Sequence, residues 1–255
     1  MSRIEQKFKE LDRPALVSFI TAGDPDYETS LEVFKGLPEA GADIIELGMP
    51  FTDPVADGPT IQHASERALA AGATMKRTFD MVRAFRADND HTPLVLMGYY
   101  NPICAFGIEA FARTAHEAGV DGLIIVDLPP EEDGDLRKAL EGRGIDIIRL
   151  ITPVTEESRL KVLLNGASGF LYYVSITGVT GSASADMGAV ERHIEQIKAH
   201  TDLPIAVGFG IKTPEDVKAF GSMGGAAVVG SAIVNALQAG VDEALSLVKT
   251  LSKGL

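Results

Sequence analysis

The residues best placed to do chemistry lie in one stretch: Glu46-Leu47-Gly48-Met49-Pro50-Phe51-Thr52-Asp53-Pro54-Val55-Ala56-Asp57-Gly58-Pro59. Glu46 sits near the end of the apolar run Asp43-Ile44-Ile45-Glu46-Leu47, which reads as a buried parallel strand. A charge there is costly unless it is paired, neutralised or used. Glu46 shares inward parity with Ile44 if the strand lines a barrel, and an apolar surround would raise its pKa and let it give and take protons near neutrality. The alternative is a strand-end glutamate paired with a neighbouring Lys or Arg. Asp57, in the following loop, is a second functional candidate or a cap for the helix after it, whereas Asp53 before Pro54 reads first as a turn residue.

Those carboxylates must be held by a repeated pattern of elements. A helical segment, a glycine and a short apolar run recur: Gly41-Ala42-Asp43 before IIEL, Gly119-Val120-Asp121 before GLIIV, Gly144-Ile145-Asp146 before IIRLI, Gly224-Gly225 before AAVVG. Glycine closes each helix in the left-handed conformation, and the run that follows is too short for a helix. The pattern predicts eight strands, near 15–20, 43–47, 93–98, 121–126, 146–151, 168–174, 204–208 and 226–230. Helices fall between them, near 28–39, 60–71 with 75–88, 107–118, 131–142, 156–164, 188–200, 214–221 and 231–250. Strict alternation implies a parallel sheet, and eight units in 255 residues suit an α/β fold, a single (β/α)8 TIM barrel with an extra N-terminal helix, spanning residues 1–255 as one domain. A doubly wound open sheet is the rival, but no Gly-x-Gly-x-x-Gly turn opens the chain. In such a barrel the chemistry lies at the C-terminal ends of the strands.

Three post-strand loops there are glycine-rich: Thr177-Gly178-Val179-Thr180-Gly181-Ser182, Val207-Gly208-Phe209-Gly210-Ile211 and Val229-Gly230-Ser231-Ala232-Ile233. Amides in such loops can approach a phosphate closely, and a helix beginning at Ser231 would point its positive end at it. Tight turns, with Ser231 a plain cap, are the alternative. Only Lys212 and Lys218 add positive charge between Val207 and Ala236, so an anion would rest mainly on amides and the Ser231 hydroxyl. Tyr99, Tyr172 and Phe209 near strand ends suggest an aromatic binding wall, or core packing.

Composition narrows the function. A net charge of −13 argues against nucleic acid, which needs clustered Lys and Arg. One cysteine, Cys104, rules out an internal disulfide and fits a reducing cytoplasm. No run of about 18 apolar residues suggests a membrane span, and Met1 to Arg13 lacks the apolar core of a secretory signal. The histidines (His63, His91, His116, His193, His200) are scattered, so no metal site is expected, and the sixth strand carries no lysine for a Schiff base. Acid–base chemistry by carboxylates on a phosphorylated small molecule remains.

The segments ELGMPFTDPVADGPTIQ, SFITAGDPD, VSITGVTG, VGFGI and VVGSAIV together resemble the tryptophan synthase alpha subunit family, in family order from Ser18 to Val234. The resemblance implies retro-aldol cleavage of indole-3-glycerol phosphate to indole and glyceraldehyde 3-phosphate. It implies Glu46 as general acid–base, Asp57 facing the indole nitrogen and Tyr172 as a supporting catalytic residue. Phe19 and Tyr99 would line the indole pocket, Gly181, Gly210, Gly230 and Ser231 would hold the phosphate, and Thr180 would belong to a lid. Met49 and Thr52 stand where members often carry Val or Ile and Ser, and Ile176 where some have arginine, so no phosphate role passes to Ile176. The resemblance also implies a beta-subunit partner in an alpha2beta2 assembly, facing the Asp53-Pro54 segment and the apolar loop Asn101-Pro102-Ile103-Cys104-Ala105-Phe106-Gly107. Pyridoxal phosphate would belong to that partner, and this chain would need no cofactor. A stand-alone relative releasing free indole, a sugar-phosphate isomerase and a non-catalytic regulatory subunit are the competing readings.

Overall fold

The computed structural model describes residues 1–174, 187–208 and 210–255. Nine parallel strands run β1 (Ala15–Thr21), β2 (Ile44–Gly48), β3 (Leu94–Gly98), β4 (Gly122–Ile125), β5 (Asp146–Ile147), β6 (Arg149–Ile151), β7 (Leu171–Val174), β8 (Ile205–Gly208) and β9 (Gly225–Val229). Their order in the sheet is β5-β4-β3-β2-β1-β9-β8-β7-β6. β5 and β6 are the two halves of one stave interrupted at Ile148, with β5 pairing β4 and β6 pairing β7. That stave closes the sheet into the expected eight-fold barrel. The Ile148 N–H still reaches the Leu123 carbonyl at 3.0 Å, so pairing with β4 continues past the break.

Alternation along the strands sorts the core into two layers. Val17, Ile44, Val95, Ile124, Ile148 and Phe170 form the barrel interior with Ile4 of the N-terminal helix Arg3–Glu10. This extra helix, capped by the Ser2 side chain accepting from the Glu5 N–H at 3.2 Å, packs Ile4, Phe8 and Leu11 against that interior. Arg3 pairs with buried Asp121, which Arg86 also engages, so the helix is tied to the base of β4. The opposite strand faces pack against the helices in a larger outer cluster that includes Phe34, Phe79, Phe85 and Phe111.

Helices differ from expectation in three places. The apolar segment after β3 is a helix, Tyr100–Phe106, rather than a loop; Pro102 falls in its first turn, where a missing N–H costs nothing. The last helix divides into Ser231–Leu237 and Val241–Leu251 around Gly240, whose φ of 147° cannot continue a helix. The 131–142 segment shortens to Gly134–Leu140.

Candidate active site

Glu46 lies on β2 in register with Phe19 of β1 and Val95 of β3. Its exposure is 0%, and neither carboxylate oxygen has a hydrogen-bond partner among the described residues. Burial alone pushes its pKa up to about 8. A neighbouring Lys or Arg, the alternative the sequence left open, is not there. In the apolar interior the neutral acid is the resting form at pH 7, and its proton is available for transfer.

Asp57 sits at the end of the loop that follows β2, just before the helix Pro59–Ala70. It does not cap that helix through its side chain; Gly58 occupies the cap position. Partial burial raises its pKa, and a hydrogen bond from the Tyr99 hydroxyl works in the opposite direction. Tyr99 is itself 3% exposed, its pKa pushed up to about 12, chiefly by burial. Its oxygen also accepts the Ala56 N–H at 3.1 Å, and Gln62 Nε2 donates to the Asp57 carbonyl at 2.8 Å. Arg67 on the same helix makes a two-pronged pair with buried Asp24, at 2.7 and 2.9 Å. The C-terminal end of the loop and the helix that follows it are thus fixed. Asp53 is a turn residue as read, accepting from Thr52 Oγ1 at 2.6 Å.

Tyr172 on β7 lies within electrostatic reach of both acids. Burial comes first, then the negative charges of Glu46 and Asp57, in raising its pKa well above 10, so it remains a neutral hydroxyl donor. The hydroxyl lies across Gly208 of β8: a Cβ there would sit 2.8 Å from Tyr172 Oη. Gly48 plays the same part for Phe19, whose ring would come within 2.6 Å of a Cβ. Phe19, Asp57, Met97, Tyr99 and Val126 line one cleft at this mouth. Met97 and Val126 were not singled out from the sequence, although their strand parity places them inward.

The glycine cradle adjoins this cleft. Phe19 Cβ is 3.4 Å from where a Cβ on Gly230 would stand, so Gly230 borders the residue paired with Glu46. Ser231 is the first helical residue and Gly230 occupies the cap position, without a side-chain cap bond. The Ser231 hydroxyl is therefore not spent as an N-cap. Gly210 has a left-handed φ of 60°. Thr180 and Gly181 lie outside the described residues, as does Phe209. Among the described residues no group of three or more His, Cys, Asp or Glu could hold a metal ion, and no helix is long and apolar enough to cross a membrane.

A (β/α)8 barrel with a neutral buried acid, a second carboxylate and glycine loops at its C-terminal mouth defines a class: barrel enzymes working by proton transfer on small molecules. The family described as "Tryptophan synthase alpha chain" matches residues 6–253. Tryptophan synthase subunit alpha from Legionella pneumophila superimposes with a TM-score of 0.92 at 37% identity, covering 100% of this chain and 98% of that one. A structure from Aquifex aeolicus gives 0.92 at 39% identity, covering 100% and 99%. Tryptophan synthase from M. tuberculosis in its aminoacrylate-bound form gives 0.91 at 33%, covering 100% and 99%. The chain belongs to the tryptophan synthase alpha chain family, whose reaction is the lyase step on indole-3-glycerol phosphate.

Proposed function

We propose that Glu46, Asp57 and Tyr172 carry that lyase reaction, with Glu46 moving the protons. Cleaving the bond to indole C3 requires a proton at C3 and loss of the adjacent glycerol hydroxyl proton. A carboxyl group that rests protonated can supply the first; the carboxylate it becomes can accept the second, which returns it to its starting state. Positive charge builds on the ring nitrogen once C3 is protonated. Asp57, as the carboxylate, stabilises it electrostatically. Tyr172, neutral and within electrostatic reach of both acids, supplies a hydroxyl donor to whichever is charged. Phe19 and Tyr99 enclose the ring, the Gly210, Gly230 and Ser231 amides, with Gly181 from the sixth loop, receive the phosphate, and Thr180 belongs to the lid.

The observation that carries this reading is the full burial of Glu46 without a partner at the mouth of the barrel. A structural glutamate there would be paired or replaced by an apolar residue. Glu46→Gln keeps shape but cannot exchange a proton, so indole release from indole-3-glycerol phosphate should fall at least 1,000-fold while ligand binding persists; near-normal turnover would remove Glu46 from the mechanism.

We further propose that indole passes to a pyridoxal-phosphate-dependent beta subunit in an alpha2beta2 assembly in the cytoplasm, this chain holding no cofactor of its own. The exposed Val55 and the apolar helix Tyr100–Phe106, with Cys104 exposed, flank the cleft on the side where such a partner would dock. Added beta subunit should raise the indole-forming rate; no stimulation would favour a stand-alone lyase.

A further inference from the structure

Thr21 ends β1 with the inward parity of Ala15, Val17 and Phe19, and it lines the same cleft as Asp57 and Met97. Its exposure is 2%, and its Oγ1 has no hydrogen-bond partner among the described residues. The backbone around it is anchored: the Thr21 carbonyl accepts from Ser30 Oγ at 3.2 Å and from the Asp24 N–H at 3.2 Å. The Gly23 N–H in turn donates to Ser30 Oγ at 2.9 Å. The residue is therefore held in place while its hydroxyl is left unsatisfied. A buried hydroxyl without a partner is destabilising, and valine would fill the same volume without that penalty. A free hydroxyl facing a ligand cleft is accounted for when the ligand brings the partner.

Within the proposed lyase reading, we infer that Thr21 is a specificity-determining residue whose Oγ1 accepts the ring N–H of the bound substrate beside Asp57. In that reading the ring nitrogen, the one polar atom of an indole, faces Asp57 in the cleft that Thr21 also lines, and the glycerol hydroxyls and phosphate extend toward Glu46 and the glycine loops. A site that hydrogen-bonds an N–H rejects an analogue lacking it, because its own polar group is then stranded.

The test compares Thr21→Val, isosteric without the hydroxyl, with Thr21→Ser, which restores it. Steady-state kinetics on indole-3-glycerol phosphate, inhibition by indole and by its carbon analogue indene, and thermal melting are measured on each. Thr21→Val should lower kcat/KM about tenfold and narrow the preference for indole over indene about tenfold, with a melting temperature equal to or above the parent. Thr21→Ser should return both kinetic quantities to within about threefold. If Thr21→Val does not fold, Thr21→Ala carries the same two kinetic readings. Unchanged kcat/KM and unchanged preference would overturn the inference, as would a loss that follows a drop in melting temperature and is not rescued by serine. Glu46→Gln serves as the control: if that variant stays active the underlying lyase reading fails, whereas an inactive Glu46→Gln beside a fully active Thr21→Val sinks the Thr21 inference alone.

Discussion

At the scale of single residues, the site uses one solvation effect in two strengths. Glu46, fully buried and unpartnered, is shifted to about 8, whereas Asp57, partly buried and hydrogen-bonded by Tyr99, is shifted upward against an opposing pull. The two carboxyls therefore meet different surroundings, one shifted by burial alone and one by burial against a hydroxyl donor, which suits one to move a proton and the other to carry charge. Stability must answer to the same shift. Between the unfolded value of 4.5 and about 8, the unfolded chain releases the Glu46 proton while the folded chain keeps it. The folded state then binds more protons, and stability falls as pH rises, by up to about 1.4 kcal/mol per unit. Below pH 4.5 this term is absent. Glu46→Gln abolishes it, so urea denaturation should show the variant gaining on the parent from pH 5 to pH 8 and no further above that. A constant difference across the range would mean that Glu46 ionises normally in the fold. Asp57→Asn, keeping shape and losing charge, should cut kcat by about 100-fold and leave inorganic phosphate affinity within about twofold, measured by competition kinetics. A variant that lost mainly phosphate affinity would place Asp57 in the anion site instead.

At the scale of elements, neighbouring strands position the catalytic groups through close approaches that only glycine permits. Gly208→Ala would drive a Cβ to 2.8 Å from the Tyr172 hydroxyl. The expected cost is about 1–3 kcal/mol of stability with a drop in kcat. Adding Tyr172→Phe, which removes the closest clashing atom and leaves the ring carbons at 3.0 and 3.2 Å, should recover part of the melting temperature but not the activity; no recovery would show that the strain lies elsewhere. This level was only partly legible in the sequence. Eight staves could be read because short apolar runs alternate with helical patterns, four of them behind a glycine stop, and Glu46 could be read because a charge interrupts such a run. Helix Tyr100–Phe106 could not: it is short, contains Pro102 and has no side-chain cap. The hydrogen bond from the Ala56 N–H to the Tyr99 hydroxyl joins two loops distant in the chain, so no spacing announces it. Thr21 was hidden for another reason, since a threonine in a strand is ordinary until its surroundings show that nothing satisfies its hydroxyl.

At the scale of the whole molecule, the barrel separates stability from chemistry along its axis. The base is closed by Ile4 and the Arg3–Asp121–Arg86 cluster, while the mouth carries the acids and the glycine loops. Ile4→Ala removes a fully buried side chain from the base and should cost about 2–5 kcal/mol in urea denaturation. Turnover per folded molecule should stay within about twofold, because the plug and the acids sit at opposite ends. A large loss of kcat in folded protein would show that the two ends are coupled. The same division explains why an unsatisfied acid is tolerated at all: the outer layer of aromatic and aliphatic side chains supplies the stability that Glu46 and Thr21 withhold.

The most direct measurement follows the protonation of Glu46 itself. The carboxylic-acid carbonyl stretch in infrared difference spectra, assigned by its loss in Glu46→Gln, should disappear with a midpoint near pH 8 in the parent protein, and kcat/KM should decline above the same pH. A midpoint near 4.5, with activity undiminished through pH 9, would contradict the assignment of Glu46 as the resting acid.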